Sequence, residues 1–268
     1  MLSEKHSFER RHVLYCDILG FSPYVEGEFF EPSRCFRMFH RLDELVRECV
    51  KEIDPSSPEP VTGLVPHYIV NPEAIYFSDS IVISTAPTNV DAMWLCEAAG
   101  RIQNSLCHLG FLVRGAITTG DIYHSGNTIF GPAIVRAVKM EKAVNFPIIE
   151  ISDETHQIFH AAHTPEDKEI VAARSRQLIS GANSNVPFVD PFWFLKCHSS
   201  QSTLHPHTKS QIESWRALIE HGLLSKSSEV RAKYRWGAQH FNYSLCNVPS
   251  IIKPIRFDSS ECEGAKGA

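Results

Sequence analysis

Two lone carboxylates stand where apolar runs end. Asp17 closes the run Val13-Leu14-Tyr15-Cys16 and is followed by Ile18-Leu19-Gly20-Phe21. Asp79 sits between Ala74-Ile75-Tyr76-Phe77-Ser78 and Ser80-Ile81-Val82-Ile83, at what reads as a hairpin tip. An ionised carboxylate is costly to bury without a partner, and a metal at a strand end would supply one. Either residue alone reads as well as a strand-leaving turn cap; the pair is what points to chemistry. Two convergent carboxylates suit two divalent cations, Mg²⁺ or Mn²⁺, because Mg²⁺ binds through one or two carboxylates plus substrate phosphates. Paired metals activate an attacking hydroxyl and stabilise a leaving phosphate. Backbone N–H groups of Leu19-Gly20-Phe21, entering a helix, suit phosphate oxygens. The expected chemistry is phosphoryl transfer on a nucleotide.

Those carboxylates must be positioned by a sheet. A strand over His12–Cys16 ends at Asp17, and Ser22-Pro23 reads as a helix start. A longer helix from near Ser33 carries Phe36, Phe39, Leu42, Leu45, Val46, Cys49 and Val50 at helical spacing. It stops before the Pro/Ser stretch Asp54-Pro55-Ser56-Ser57-Pro58, and Val61 to Pro72 reads as an irregular excursion. Short strands flank Asp79. Thr88-Asn89 opens a helix that ends at Gly110. Phe111–Thr119 and Asp121–Phe130 read as a strand pair around Ser125-Gly126-Asn127. Gly131-Pro132 opens a helix through Val144, bearing Ile134, Ala137, Val138 and Glu141, and Pro147–Ser152 reads as a strand.

This order gives a βαββαβ, ferredoxin-like α+β core with extra strands, its sheet covered by helices on one face. The first strand then lies antiparallel to the third, so Asp17 and Asp79 converge although 62 positions separate them. The expected division is a core over 1–151 and a helical C-terminal extension over 152–268. In the extension, His156–His163 and Glu166–Leu178 read as helices, 180–185 as a loop and Pro187–Cys197 as a strand. Ile212–Leu224 and Ser228–Tyr243 read as further helices before a frayed tail.

Composition narrows the function classes. With 268 residues, 43% of them hydrophobic, the chain can bury a real core. A net charge of −5 argues against broad nucleic-acid binding. The polar start from Ser3 to Arg11 does not resemble a secretory signal. No stretch approaches the roughly 20 apolar residues of a membrane span, and the chain reads as cytosolic. Its eight cysteines include no CxxC pair and read as reduced thiols. Among fourteen histidines, His156, His160 and His163 could share a helix face, but no ligand motif accompanies them, and they read as surface residues.

Four motifs carry a family resemblance. Asp17-Ile18-Leu19-Gly20-Phe21 resembles the first metal motif of the class III nucleotidyl cyclases. Ser78-Asp79 resembles their second, with Ser in place of the usual Gly. Val113-Arg114-Gly115-Ala116-Ile117-Thr118-Thr119-Gly120 resembles the next family strand, and Phe130-Gly131-Pro132-Ala133-Ile134 the following helix entry. They occur in family order between Val13 and Glu141, about half the chain. Within the family the chain is most similar to the bacterial Pycsar pyrimidine cyclases, which make cyclic UMP or cyclic CMP during phage infection. The stretch Lys233-Tyr234-Arg235-Trp236-Gly237-Ala238 also resembles that group.

The resemblance implies that Asp17, Asp79 and the Ile18 carbonyl hold two Mg²⁺ or Mn²⁺ ions. It implies that Arg114 meets the triphosphate. Where purine cyclases carry Lys or Glu, four residues before the second metal Asp, this chain has Ile75. Where they carry Asp or Cys before the helix entry, it has Thr128. These departures demote adenine and guanine, and Tyr76 becomes a candidate to pack on a smaller base. The family's transition-state Asn and Arg map to Val135 and Lys139; Lys139 keeps the charge without the planar fork, and Arg136 is an alternative. The implied substrate is UTP, alternatively CTP, and the implied assembly is a homodimer with shared active sites. The product would act on a separate effector protein. The competing expectation is a degenerate cyclase-like domain that binds nucleotide or a partner.

Overall fold

The computed structural model describes residues 7–50, 72–162, 164–181, 186–196, 204–245 and 252–257. The chain divides into two compact units, 1–191 and 192–268.

In the first unit the strands are β1 (Glu9–Leu19), β2 (Glu73–Phe77), β3 (Ser80–Thr85), β4 (Leu112–Ser125), β5 (Thr128–Phe130), β6 (Ile149–Ile151), β7 (Ile179–Ser180) and β8 (Phe188–Val189). The helices are α1 (Phe21–Val25), α2 (Pro32–Val50), α3 (Asn89–His108), α4 (Pro132–Ala143), α5 (Asp153–Phe159) and α6 (Pro165–Leu178). The sheet order is β2-β3-β1-β4-β6-β8-β7, with β5 pairing on β4. β1 is antiparallel to both β3 and β4. The elements β1, α2, β2, β3, α3 and β4 therefore form the expected βαββαβ core, and its four strands have the ferredoxin-like order.

β1 is central because it is apolar on both faces, as a doubly covered strand must be. Alternation sends Val13, Tyr15 and Asp17 to one face and His12, Leu14, Cys16 and Ile18 to the other. On the first face Val13 joins Val82, Ile122 and Ala133 of α4 in a buried cluster, with Tyr15 and Ile75 packed against it. On the second, His12 meets the Thr88 carbonyl at the start of α3 (2.9 Å). Helices therefore cover both faces, not one: α4 lies on the Asp17 face and α2, α3 and α5 on the other. The reason is on α4 itself, whose buried stripe Ala133, Ala137 and Glu141 recurs every four residues and needs a surface to cover.

Several boundaries differ from the sequence expectation. β4 runs unbroken through Gly120, because its pairing with β1 continues to Ile122; only Thr128–Phe130 turns back as β5. Of the expected strand Pro187–Cys197, Phe188–Val189 is strand and Trp193–Lys196 is a short helix, α7. β8 pairs with β6 and β7, so elements beyond 151 continue the first unit's sheet. The linker 54–58, most of the excursion from Val61, His163, most of the 180–185 loop and the last eleven residues lie outside the described residues.

The second unit holds α7, α8 (Pro206–Leu223) and α9 (Ser228–Ser244). Phe192 packs edge-on to Trp215 (4.9 Å between ring centroids) and Phe241 (5.3 Å). Asn242 exchanges two hydrogen bonds with the backbone of Ile255, tying residues 252–257 to α9. No helix among the described residues is long and apolar enough to cross a membrane.

Candidate active site

Asp17 and Asp79 meet at one end of the sheet. Asp17 pairs with Ser80 of β3 on one side and with Arg114 of β4 on the other. Asp79 occupies the two-residue tip between β2 and β3, and its carbonyl accepts the Ile18 N–H at 2.9 Å. This bond ties the tip to the end of β1. Ser78 beside it has φ 55°, a left-handed backbone that favours glycine. Past Asp17, Gly20 takes φ 75° and turns the strand into α1. Phe21 buries its ring against Phe39 and Phe111 (6.1 and 6.5 Å), and Ile18 is buried too. Of the predicted ligand-binding run 18–21, the side chains of Ile18 and Phe21 thus face the core, and their backbone is what can meet a ligand.

The electrostatics of this end are unbalanced. Burial pushes the Asp17 carboxyl up to about 6, and the Asp79 and Glu141 charges add to the rise against Arg114 and Lys142. Negative charge is gathered here beyond what the nearby cations offset. Arg114 itself is held by Glu141 of α4 through Nε and Nη2, and its Nη1 donates to the Val144 carbonyl at 3.0 Å. Glu141 is buried, and the sequence reading assigned it no role. Its signal was visible: a carboxylate at the third position of the stripe Ala133, Ala137, Glu141 must have a partner.

The donor set fits a hard divalent cation: two carboxylates, one with its proton affinity raised by burial and then by the other, beside backbone oxygens. No group of three or more His, Cys, Asp or Glu among the described residues is arranged to hold a metal. Two carboxylates suffice where phosphate oxygens complete the shell. His156 and His160 form an edge-on ring pair 4.6 Å apart, with His160 bonded to Ser175 (3.3 Å).

The remaining predicted residues separate. Ile75 lies on the Asp17 face, packed against the Val13–Val82 cluster. Tyr76 does not join it. Neighbouring strand residues point to opposite faces, and Tyr76 stacks on Phe39 (6.3 Å) and donates to Asp43 of α2 (3.2 Å). Thr128 stands exposed beyond the far end of β4, paired with Ser125. Arg114 and Ser125 are roughly 35 Å apart along the strand at ~3.3 Å per residue, so Thr128 does not meet Asp17 within one chain. Arg136 is tied down, its Nη1 donating to the Thr119 carbonyl (3.1 Å) and to Glu154 (3.2 Å). Lys139 is exposed and has no ion pair among the described residues. Val135 is also exposed, at 52%.

No family model matches the chain, and no curated protein does. Among solved structures the chain is similar to the catalytic core of a rhodopsin-guanylyl cyclase with converted specificity in complex with ATPαS. That match has 12% identity, covers 68% of this chain and 96% of that one, and has a TM-score of 0.44. It is also similar to an adenylate/guanylate cyclase/hydrolase from Silicibacter pomeroyi, at 16% identity over 68% of this chain and 94% of that one, TM-score 0.42. A class III adenylyl cyclase-like ATP-binding protein from Pseudomonas aeruginosa matches at 12% identity over 62% and 40%, TM-score 0.39. Likeness at this level assigns no role to any residue, and the site stands on its own geometry.

Proposed function

We propose that the protein is a nucleotidyl cyclase that converts a pyrimidine nucleoside triphosphate, UTP by preference over CTP, into its 3′,5′-cyclic monophosphate and pyrophosphate. The observation that carries this reading is the Ile18–Asp79 backbone bond, which brings the two carboxylates to one sheet end. Asp17, Asp79 and the Ile18 carbonyl would hold divalent cations. When bound, these would supply Lewis-acid activation of the ribose 3′-hydroxyl and neutralise the triphosphate. The 3′-oxygen bonds to the α-phosphorus, the bond to the β-phosphate oxygen breaks, and the hydroxyl proton leaves to solvent. Arg114 takes charge on the departing pyrophosphate.

The far half of the site would come from a second copy in a head-to-tail homodimer, with Lys139 as its cation. Lys139 is preferred to Arg136 because Arg136 is occupied by Glu154 and the Thr119 carbonyl. Ile75 and Thr128 supply the base contacts; Tyr76 is left out by its face. The cyclic product would act on a separate effector in anti-phage signalling, as in the bacterial group that the sequence resembles.

The test is purified protein with Mn²⁺ or Mg²⁺ and each of the four nucleoside triphosphates, followed by mass identification of products. Cyclic UMP or cyclic CMP is expected. Clear preference for ATP or GTP would overturn the base assignment. A second reading, a degenerate nucleotide-binding domain, is favoured by Val135, an exposed apolar side chain where the resemblance implies an Asn. Tight nucleotide binding without any cyclic product would select it.

A further inference from the structure

Arg114 and Asp17 are directly opposite each other in the antiparallel β1–β4 pair. Side chains so placed share a face, with Cβ atoms roughly 5 Å apart. A guanidinium that close to a carboxylate ordinarily forms a two-pronged, charge-assisted pair with it. Arg114 does not. Its Nε and Nη2 go to Glu141, and its Nη1 goes to the Val144 carbonyl at 3.0 Å. Glu141 is buried to 2% exposure on α4 and is the residue that draws the guanidinium aside. Three of the five guanidinium N–H groups are thereby used, and two remain for other oxygens.

We propose that Glu141 is a positioning residue that holds Arg114 off Asp17, so that the carboxylate pair stays open to a divalent cation while the two unused N–H groups face phosphate. The inference rests on the assignment of Asp17 and Asp79 as cation ligands. It adds a reason for a buried carboxylate in a site already rich in negative charge. Without the Glu141 charge, the nearest remaining counter-ion for Arg114 is Asp17, and the guanidinium occupies the place of the cation. Arg114 then changes from a ligand for phosphate into a competitor for the metal site.

The loss is largely undone in a double substitution, which a purely structural role would not do. The full chain and its Glu141→Gln and Glu141→Gln/Arg114→Gln variants would be titrated with Mn²⁺ alone. Free Mn²⁺ is read by electron paramagnetic resonance, and thermal unfolding monitors the fold. Glu141→Gln should weaken Mn²⁺ binding by about tenfold, within the range of coupling between contacting groups. The double variant should recover most of that loss, because the competing cation is gone. Should Glu141→Gln not fold, Glu141→Asp takes its place, with weaker binding that Arg114→Gln restores. Unchanged affinity in the Glu141 variant, a double variant as weak as the single, or no Mn²⁺ binding by the wild type would overturn the proposal. The product assay is read separately. The expected Mn²⁺ pattern in a protein that forms no cyclic nucleotide would sustain the role of Glu141 and overturn the cyclase reading.

Discussion

The two ends of β1 each gather polar side chains from neighbouring elements and treat them differently. At the beginning of the strand, buried Arg11 donates to the Ser84 hydroxyl (3.0 Å) and carbonyl (3.2 Å), and Ser84 also meets His124 Nδ1 (2.8 Å). His12 lies between Thr119 Oγ1 (2.7 Å) and the Thr88 carbonyl (2.9 Å). Burial pushes both histidines down to about 4, so each is neutral at physiological pH. At the other end, Asp17 and Asp79 lie together while Glu141 holds the Arg114 guanidinium, and burial pushes the Asp17 carboxyl up to about 6. One end pairs most of its polar atoms internally, although His124 Nε2 is buried without a hydrogen-bond partner among the described residues. The other leaves a carboxylate whose proton affinity is raised by burial and by neighbouring carboxylates, and perturbed groups of that kind are candidates for functional sites.

Substitution at each end should separate these roles. Asp17→Ala or Asp79→Ala is expected to abolish turnover with the fold retained, as seen by circular dichroism; full activity in either would sink the two-metal assignment. Ser84→Ala should do the reverse. It strips a partner from Arg11 and His124, so stability falls by roughly 1–3 kcal/mol while kcat stays near wild type. A next, smaller effect concerns sharing between copies. Inactive Asp17→Ala protein mixed with inactive Lys139→Ala protein should regain about a quarter of wild-type activity, since half the dimers are mixed and one of their two sites is whole. No recovery despite demonstrated subunit exchange would argue for complete sites within single chains.

The carboxylate end was legible in the sequence because its signal is local: a charged residue in an apolar strand, twice, at places where period and turn chemistry set the register. The same logic placed β1 beside β3 and so predicted their meeting. Tyr76 shows where it stops. Its neighbour Ile75 faces the sheet side of Asp17, and a period of two sends Tyr76 to α2. The partner that confirms this, Asp43, is 33 positions away on a helix whose rotation the sequence does not specify. The Arg114–Glu141 pair is only half legible for a related reason. A carboxylate in the Ala133–Ala137 stripe signals a need for a partner, but only the packing of α4 on β4 supplies Arg114 as that partner. That α4 covers the second face was missed because its apolar stripe is built mostly of alanine, a weak periodic signal.

The pH dependence of stability gives a further contrast between the ends. The Asp17 pKa is raised in the folded chain from 3.8 to about 6. Its neutral form therefore stabilises the fold fully below pH ~4, and that contribution is lost as pH rises through about 6. Asp17→Asn removes the penalty. In metal-free protein at pH 7.5 it should raise stability by on the order of 1 kcal/mol, the full shift being discounted because the half-buried carboxyl is screened by solvent, and the gain should vanish near pH 4. Thermal unfolding at the two pH values reads this directly. A gain that persists undiminished at pH 4 would show that packing, not charge, separates the variant from wild type.

The smallest effect belongs to the hairpin tip that carries Asp79. Ser78 holds φ 55°, a left-handed conformation that costs a non-glycine residue roughly 1–2 kcal/mol. Glycine would remove that cost but bring a larger loss of chain entropy on folding, roughly 0.5–1 kcal/mol. The difference favours Ser78→Gly by about 0.5–1 kcal/mol, a rise of a few degrees at most in the unfolding midpoint. The Ile18–Asp79 backbone bond involves neither the Ser78 side chain nor its Cβ, so Mn²⁺ affinity should not change. A loss of stability would mean that the serine hydroxyl makes a compensating contact in solution. A loss of Mn²⁺ affinity with stability intact would mean instead that the tip must be held stiffly for Asp79 to meet Asp17, which would place Ser78 itself in the site.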